Sequence, residues 1–361
     1  MTFRERLLTA LGGGRTDVMP WFADLTYWYG ARQRDGLLPP EYEGDEGFVR
    51  LHADYHVGYY LGYASAASTH YDGVETSSAQ DGNVTTTRWS TPVGEIIAEY
   101  TYLPATYSSA PTRWPVRTPD DLRVLTFIAE ATVVTPAPER FETLKAIAGD
   151  QGHPTVLATR SPVSQMLAQW SGVENFAYLE ADVPEQLRAA LDALGRAADP
   201  VYEAAAALDT PFVELPDNLA GDVMAGWFRR YQFDYYVMRA EQLHAAGKKM
   251  GAHLDGAVRP LLGLLVEAGL DFVEALTPQP TGDVGIAELR ELAGPDVVLF
   301  GGVPGAMFAP PFVADDIRRH VEAVIEAHWD HGRFILGVAD QVPPDGDIEL
   351  VRVIGEMCEQ M

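Results

Sequence analysis

A single cysteine in 361 residues, Cys358, rules out an intrachain disulfide and any cysteine-based zinc cluster. Basic residues are also scarce: 26 Lys and Arg stand against 52 Asp and Glu, a net charge of −26. Phosphate binding needs clustered Lys and Arg, so a general nucleic-acid partner is excluded and the acidity reads as a solvated surface. No run approaches 18 apolar residues, so no membrane span is expected. The opening residues, Met1-Thr-Phe-Arg-Glu-Arg-Leu-Leu8, lack the apolar centre of a signal peptide, and the chain reads as cytoplasmic. Two motifs are missing as well. No glycine-rich phosphate turn follows an early strand, which disfavours a doubly wound open sheet. No Gly-x-Ser-x-Gly elbow surrounds Ser161, which disfavours a serine nucleophile.

The chain does hold enough apolar residues, 47%, for a full core. Short apolar runs ending in polar residues or glycine recur down the C-terminal half. They are Phe212-Val-Glu-Leu-Pro-Asp-Asn218, Met250-Gly-Ala-His-Leu-Asp-Gly256, Phe272-Val-Glu-Ala-Leu-Thr-Pro278, Val298-Leu-Phe-Gly-Gly-Val-Pro304 and Phe334-Ile-Leu-Gly-Val-Ala-Asp340. Each has a buried-strand pattern, and most precede a helical one. Strands are predicted near 155–160, 212–216, 249–253, 271–276, 297–301 and 333–338, with two earlier ones at 19–25 and 57–64. Helices are predicted over 2–11, 46–55, 184–198, 227–246, 258–268, 286–292 and 314–328. Eight strands alternating with helices predict an α/β fold, a (β/α)8 TIM barrel forming a single domain over 1–361. Residues 66–115 differ: Thr, Ser, Tyr and Trp alternate over 83–89 and 95–102 around Thr91-Pro-Val-Gly94. That is a β-hairpin signature, read as an insertion that serves as a lid or dimer arm. Thr118 with Pro119 predicts the start of a helix.

In a parallel barrel the C-terminal strand ends share one mouth. His253 and Asp255 alternate on one strand and so point to one side, with Gly256 allowing a sharp turn. Imidazole offers a nitrogen ligand or a general acid–base, and the carboxylate a hard oxygen ligand. Glu214, Asp217, Asn218, Glu274 and Asp340 stand at other strand ends, and Asp24 ends the first. Carboxylates gathered at one mouth repel unless a cation or protons are shared. The candidates for catalysis are His253, Asp255 and Glu214, with His253 and Asp255 also offering metal ligands, and the candidates for substrate contact are Asp217, Asn218, Glu274, Gly301, Gly302 and Asp24. The blander alternatives are helix N-caps for Asp217-Asn218 and for Asp340, and a tight loop at Gly301-Gly302. His52 and His56 have a ligand-like spacing, but their aromatic surroundings suggest a packed face. His320, His328 and His331 read as surface or capping residues.

At these residues the pattern resembles a known group. The order Leu243-His-Ala-Ala-Gly-Lys248, His253-Leu-Asp-Gly256, Glu267-Ala-Gly-Leu-Asp271, Glu274-Ala-Leu-Thr-Pro278, Gly301-Gly302-Val-Pro304 and Ile335-Leu-Gly-Val-Ala-Asp340 resembles the uroporphyrinogen decarboxylase superfamily, over roughly residues 140–357. That group includes methyltransferases that move methyl groups to and from corrinoids or thiols. The resemblance implies substrate at the C-terminal mouth and a homodimer. True uroporphyrinogen decarboxylases carry an Arg-Gln-Ala-Gly-Arg segment, to which Ala31-Arg-Gln-Arg-Asp-Gly36 is a poor match. They also have an acid on an early strand, absent from Tyr59 to Ala67. The corrinoid-type methyltransferases hold zinc with His-x-Cys and a distant Cys. Here His253-x-Asp255 and Asp340 take those places, implying a harder site for zinc or another divalent ion, or none.

The resemblance thus implies methyl transfer from a small O- or N-methylated compound to a corrinoid carried by a separate protein, since the Asp-x-His-x-x-Gly pattern of corrinoid domains is absent here. The alternatives are a decarboxylase or lyase acting on a small carboxylic acid, and a non-catalytic barrel that binds a small molecule.

Overall fold

The apolar runs line up as neighbouring parallel strands. The computed structural model describes residues 1–62 and 64–361. Its main sheet has eight strands: β1 (Trp21–Phe22), β2 (Ala64–Ser65), β3 (Val156–Leu157), β4 (Phe212–Leu219), β5 (Lys249–Leu254), β6 (Phe272–Leu276), β7 (Val298–Pro304) and β8 (Phe334–Ala339). Their order is β1-β8-β7-β6-β5-β4-β3-β2, so from β2 onward each strand lies beside its successor and the first lies beside the last. All seven pairings are parallel. Every residue of β6, β7 and β8 is buried, as expected of parallel strands covered on both faces. The early strands are shorter than their apolar patterns suggest. The predicted strand at 57–64 contributes only its end to β2, with Gly58 and Tyr59 in single bridges to Phe22 and Gly152. Tyr63, within that predicted strand, lies outside the described residues.

Aromatic side chains from successive strands fill the inside of the sheet. Phe22, Tyr60, Phe212, Phe272 and Phe300 cluster with Leu7 and Leu11 of the first helix, Phe3–Leu11. The Phe22, Tyr60 and Phe300 rings lie 4.7–6.3 Å apart, and the Phe212 and Phe272 rings meet edge to face at 5.9 Å. Gly251 makes room for this layer, because a Cβ there would lie 2.1 Å from the Phe272 ring.

Two compact units can be distinguished. One comprises Met1–Ser65, Pro138–Ala158 and Leu208–Met361, and contains the whole eight-stranded sheet. Its helices include Thr26–Arg34 and Glu139–Ala148, neither evident from the sequence pattern, and Glu349–Glu359 at the end. The helix predicted over 227–246 starts earlier, at Gly221, and passes through a π turn at Phe228–Gln232 before Phe233–Ala245. The other unit comprises Ala66–Ala137 and Thr159–Ala207. It holds an antiparallel sheet of Glu75–Asp81, Val84–Thr91, Gly94–Leu103 and Ser108–Arg113. Thr118 caps helix Pro119–Glu130 through a reciprocal pair of bonds with Asp121.

Candidate active site

The chemistry-bearing residues gather along β4, β5 and β6 and just past the ends of β5 and β8, all within the first unit. His253 and Glu274 are register partners on the adjacent parallel strands β5 and β6. Their side chains therefore project to the same side, and His253 Nδ1 lies 2.6 Å from Glu274 Oε2. The other oxygen, Glu274 Oε1, accepts the Tyr60 hydroxyl at 2.8 Å. Glu214, on β4, completes a buried group in which one atom each of Glu214, His253 and Glu274 lies within 4.8 Å of the others.

A second, more open group surrounds the far side of the same ring. His253 Nε2 lies 3.5 Å from Asp255 Oδ1 and 3.8 Å from Asp340 Oδ1. These three atoms also fit within 4.8 Å of one another. Asp255 is oriented by Asn218, whose Nδ2 donates to Asp255 Oδ2 at 2.6 Å. Asn218 has φ +51°, in the left-handed region that asparagine tolerates, at an irregularity in the β4–β5 register. Asp340 likewise has φ +64° just past β8. β6 has its own irregularity beside Glu274, with Ala275 at φ +59°. Backbone irregularities of this kind collect beside functional sites because they re-aim side chains.

Burial and like charge set the protonation pattern. Burial pushes the Glu214 carboxyl well above the ordinary range, and the neighbouring Glu274 adds to it. Burial raises Asp340 to about 6, assisted by Asp255 and opposed by His253. For His253, burial works against the charged form, but Glu274 and Asp255 outweigh it and raise the imidazole well above 6.5. Tyr60 is raised well above 10, first by burial and then by Glu274, so its hydroxyl stays a donor at neutral pH. Among the described residues no lysine or arginine pairs with Glu214, Glu274 or Asp340. Their charge is relieved by His253, by retained protons or by a bound cation.

The remaining candidates are held differently. Asp24 is buried and raised by that burial, although Thr26 and Gln341 bond it. Its carboxylate accepts from Thr26 N at 2.7 Å and Gln341 Nε2 at 2.9 Å, tying the end of β1 to the segment after β8. Asp217 is buried and accepts the Tyr236 hydroxyl at 2.6 Å. The N-cap alternatives do not hold. Helix Gly221–Trp227 is preceded by Ala220, and helix Glu349–Glu359 by Ile348. At Gly301 the space is already used: a Cβ would lie 2.5 Å from the backbone N and O of Leu276. Gly302 accepts His320 Nε2 on its carbonyl at 2.6 Å.

His328 is not a surface or capping residue. It is fully buried, stacks on Phe334 with ring centroids 4.2 Å apart, and bonds the Ile286 carbonyl; burial lowers it to about 4. His52 is packed between Phe48 and Tyr59 with Nδ1 on the Phe48 carbonyl, while His56 faces Glu359. Sequence reasoning missed Tyr60. A phenol in the apolar segment leading to β2 gives no local signal that it will meet a carboxylate 214 residues away.

Residues 108–361, about 70% of the chain, match the uroporphyrinogen decarboxylase (URO-D) family, and the chain belongs to that family. Among solved structures it is similar to a methyltransferase from Methanosarcina mazei. That likeness covers 100% of this chain and 99% of the other, with a TM-score of 0.62 at 16% identity, a likeness of fold. A Sorangium cellulosum protein described as a mandelate racemase/muconate lactonizing enzyme aligns over 81% of this chain and 87% of its own, at 14% identity. Its TM-score is 0.26. No curated protein matches the chain in sequence. No helix among the described residues is long and apolar enough to cross a membrane.

Proposed function

We propose that this family member is a methyltransferase. It would take a methyl group from a small O- or N-methylated compound and pass it to a corrinoid carried by a separate protein. The observation that carries the reading is the convergence of His253 Nε2, Asp255 Oδ1 and Asp340 Oδ1 at the open end of an otherwise buried acid cluster. One nitrogen and two carboxylate oxygens suit a divalent cation such as zinc, in a harder setting than thiolates provide. The deeper Glu214 can add a further oxygen ligand or a proton. We also infer that the main sheet closes as a (β/α)8 barrel, because Phe22 bridges Gly58 in the segment that leads to β2. The site then lies at the mouth where such barrels bind substrate.

In methyl transfer from an ether or amine, the bond between carbon and heteroatom breaks and its electron pair remains on the heteroatom. A cation held by His253, Asp255 and Asp340 would supply Lewis acidity at that heteroatom. The chain's own residues supply the rest. Glu214, whose carboxyl burial holds well above the ordinary range, can hold a proton and release it to the leaving group. Asn218 keeps Asp255 turned toward the ring of His253. Asp24 and Glu274 add their charge to the buried floor of the site.

The raised carboxyls also favour a second reading, decarboxylation of a small acid, in which a proton replaces the lost carboxyl. Elemental mass spectrometry of tag-free protein separates the two. Near-stoichiometric divalent metal, lost in both His253→Ala and Asp340→Ala, is expected. Folded, metal-free protein after supplementation with divalent ions would overturn the metal-assisted reading and leave proton transfer in its place.

A further inference from the structure

We infer that Tyr60 is a positioning residue for His253, acting through Glu274. The inference rests on the reading of His253 as the central group of the site. Tyr60 lies before residue 108, where the family match begins.

The chain of contacts is short and buried. The Tyr60 ring packs against Phe22 and Phe300, and its backbone carbonyl accepts Thr155 N at 2.7 Å, so the phenol cannot swing away. Its hydroxyl donates to Glu274 Oε1 at 2.8 Å. Glu274, 1% exposed, then offers Oε2 to His253 Nδ1 at 2.6 Å. A carboxyl group held at one oxygen has lost its freedom to rotate, so the second oxygen is fixed as the acceptor for Nδ1–H. The ring of His253 is thereby held with Nε2 toward Asp255 and Asp340. Orientation of this kind, through the nitrogen that does not face the ligand, sets the direction and basicity of the one that does.

Without the Tyr60 hydroxyl, Glu274 Oε1 would be left in an aromatic wall with one donor fewer, and the carboxyl would be free to turn. The carboxyl of Glu214 lies close enough to compete for the same imidazole. The phenol therefore selects one carboxyl as the partner of Nδ1 and leaves the other to the site.

Tyr60→Phe tests this, because it keeps the ring that packs on Phe22 and Phe300 and removes only the hydroxyl. The first readout is the Nδ1–H proton resonance of His253 in metal-free, 15N-histidine-labelled protein. In the wild type it should be far downfield and slow to exchange, and in Tyr60→Phe it should shift and broaden. The second readout is the affinity for zinc alone, expected to fall about tenfold, the lower end of the range for outer-shell partners of a metal-ligating histidine. An unchanged resonance together with unchanged zinc affinity, in folded Tyr60→Phe, would overturn the assignment.

If Tyr60→Phe does not fold, 3-fluorotyrosine placed at position 60 keeps the hydroxyl and makes it a stronger donor. The Nδ1–H resonance must then move, and an unmoved resonance overturns the assignment. The resonance needs neither metal nor substrate. A changed resonance in a protein that binds no metal and demethylates nothing would remove the methyltransferase reading and leave Tyr60 in its role. An unchanged one in a metal-binding demethylase would do the reverse.

Discussion

Asn218 holds Asp255: its amide nitrogen donates to Asp255 Oδ2 at 2.6 Å, from a left-handed backbone position at the end of β4. This contact joins two strand ends that the sequence separates by 37 residues. It makes Asn218 a positioning group whether or not substrate also reaches it. Asn218→Asp keeps the size and tolerates the same backbone, but sets a carboxylate against a carboxylate. Both groups are partly solvated, so the expected cost is below about 1 kcal/mol at neutral pH. It should disappear in urea denaturation below about pH 4, where carboxyls protonate.

Gly301→Ala should be among the most damaging single-methyl changes in this chain. Gly301 has φ +142°, and the added Cβ would lie 2.5 Å from the Leu276 backbone. Backbone strain of about 1–3 kcal/mol and overpacking of about 1–3 kcal/mol are both expected. Because Leu276 ends the strand that carries Glu274, zinc affinity should fall along with stability. Thermal unfolding and a zinc titration on the same preparation check this; wild-type values in both would refute the packing argument.

Metal binding should depend on pH through Asp340. Its carboxyl is raised to about 6, so below that pH it must lose a proton before it can ligate. Affinity for zinc is therefore expected to rise with pH through about 6, and to go on rising above it as His253, held protonated by Glu274 and Asp255, also gives up its proton, with proton uptake by the buffer seen calorimetrically. Asp340→Asn should bind more weakly and show a shallower pH dependence. An equally steep dependence would place the titrating ligand elsewhere.

The His253–Glu274 pair should also shape stability against pH. The folded His253 is raised above its ordinary 6.5, so the folded state binds the proton more tightly than the unfolded chain does. The resulting stabilisation is complete below about 6.5 and is lost as pH rises through the folded value. Glu274→Gln, which removes the negative charge that contributes most to that rise, should therefore destabilise metal-free protein more at pH 6 than at pH 9. Chemical denaturation at both pH values provides the measurement, and an equal cost at both would mean that the pair carries no charge dependence.

Much of the site could be read from local pattern. The alternation in His253-Leu-Asp255 puts two ligand types on one side of a strand, and the apolar runs before Glu214, Glu274 and Asp340 mark strand ends. Those are short-range properties: a strand has a period of two, and buried parallel strands are continuously apolar. The sequence therefore sufficed to mark the strands from residue 212 onward and to name the residues at their ends.

Parallel register was not local. It brings His253 level with Glu274 and turns an expected substrate contact into the hydrogen-bond partner of the imidazole. Nor could any local pattern place the Tyr60 hydroxyl on Glu274, bury His328 against Phe334, or fill the space at Gly301 with the Leu276 backbone. Each of these depends on which strands become neighbours and by how many residues they are offset. Packing of the whole sheet fixes those two quantities, and only the tertiary structure decided them.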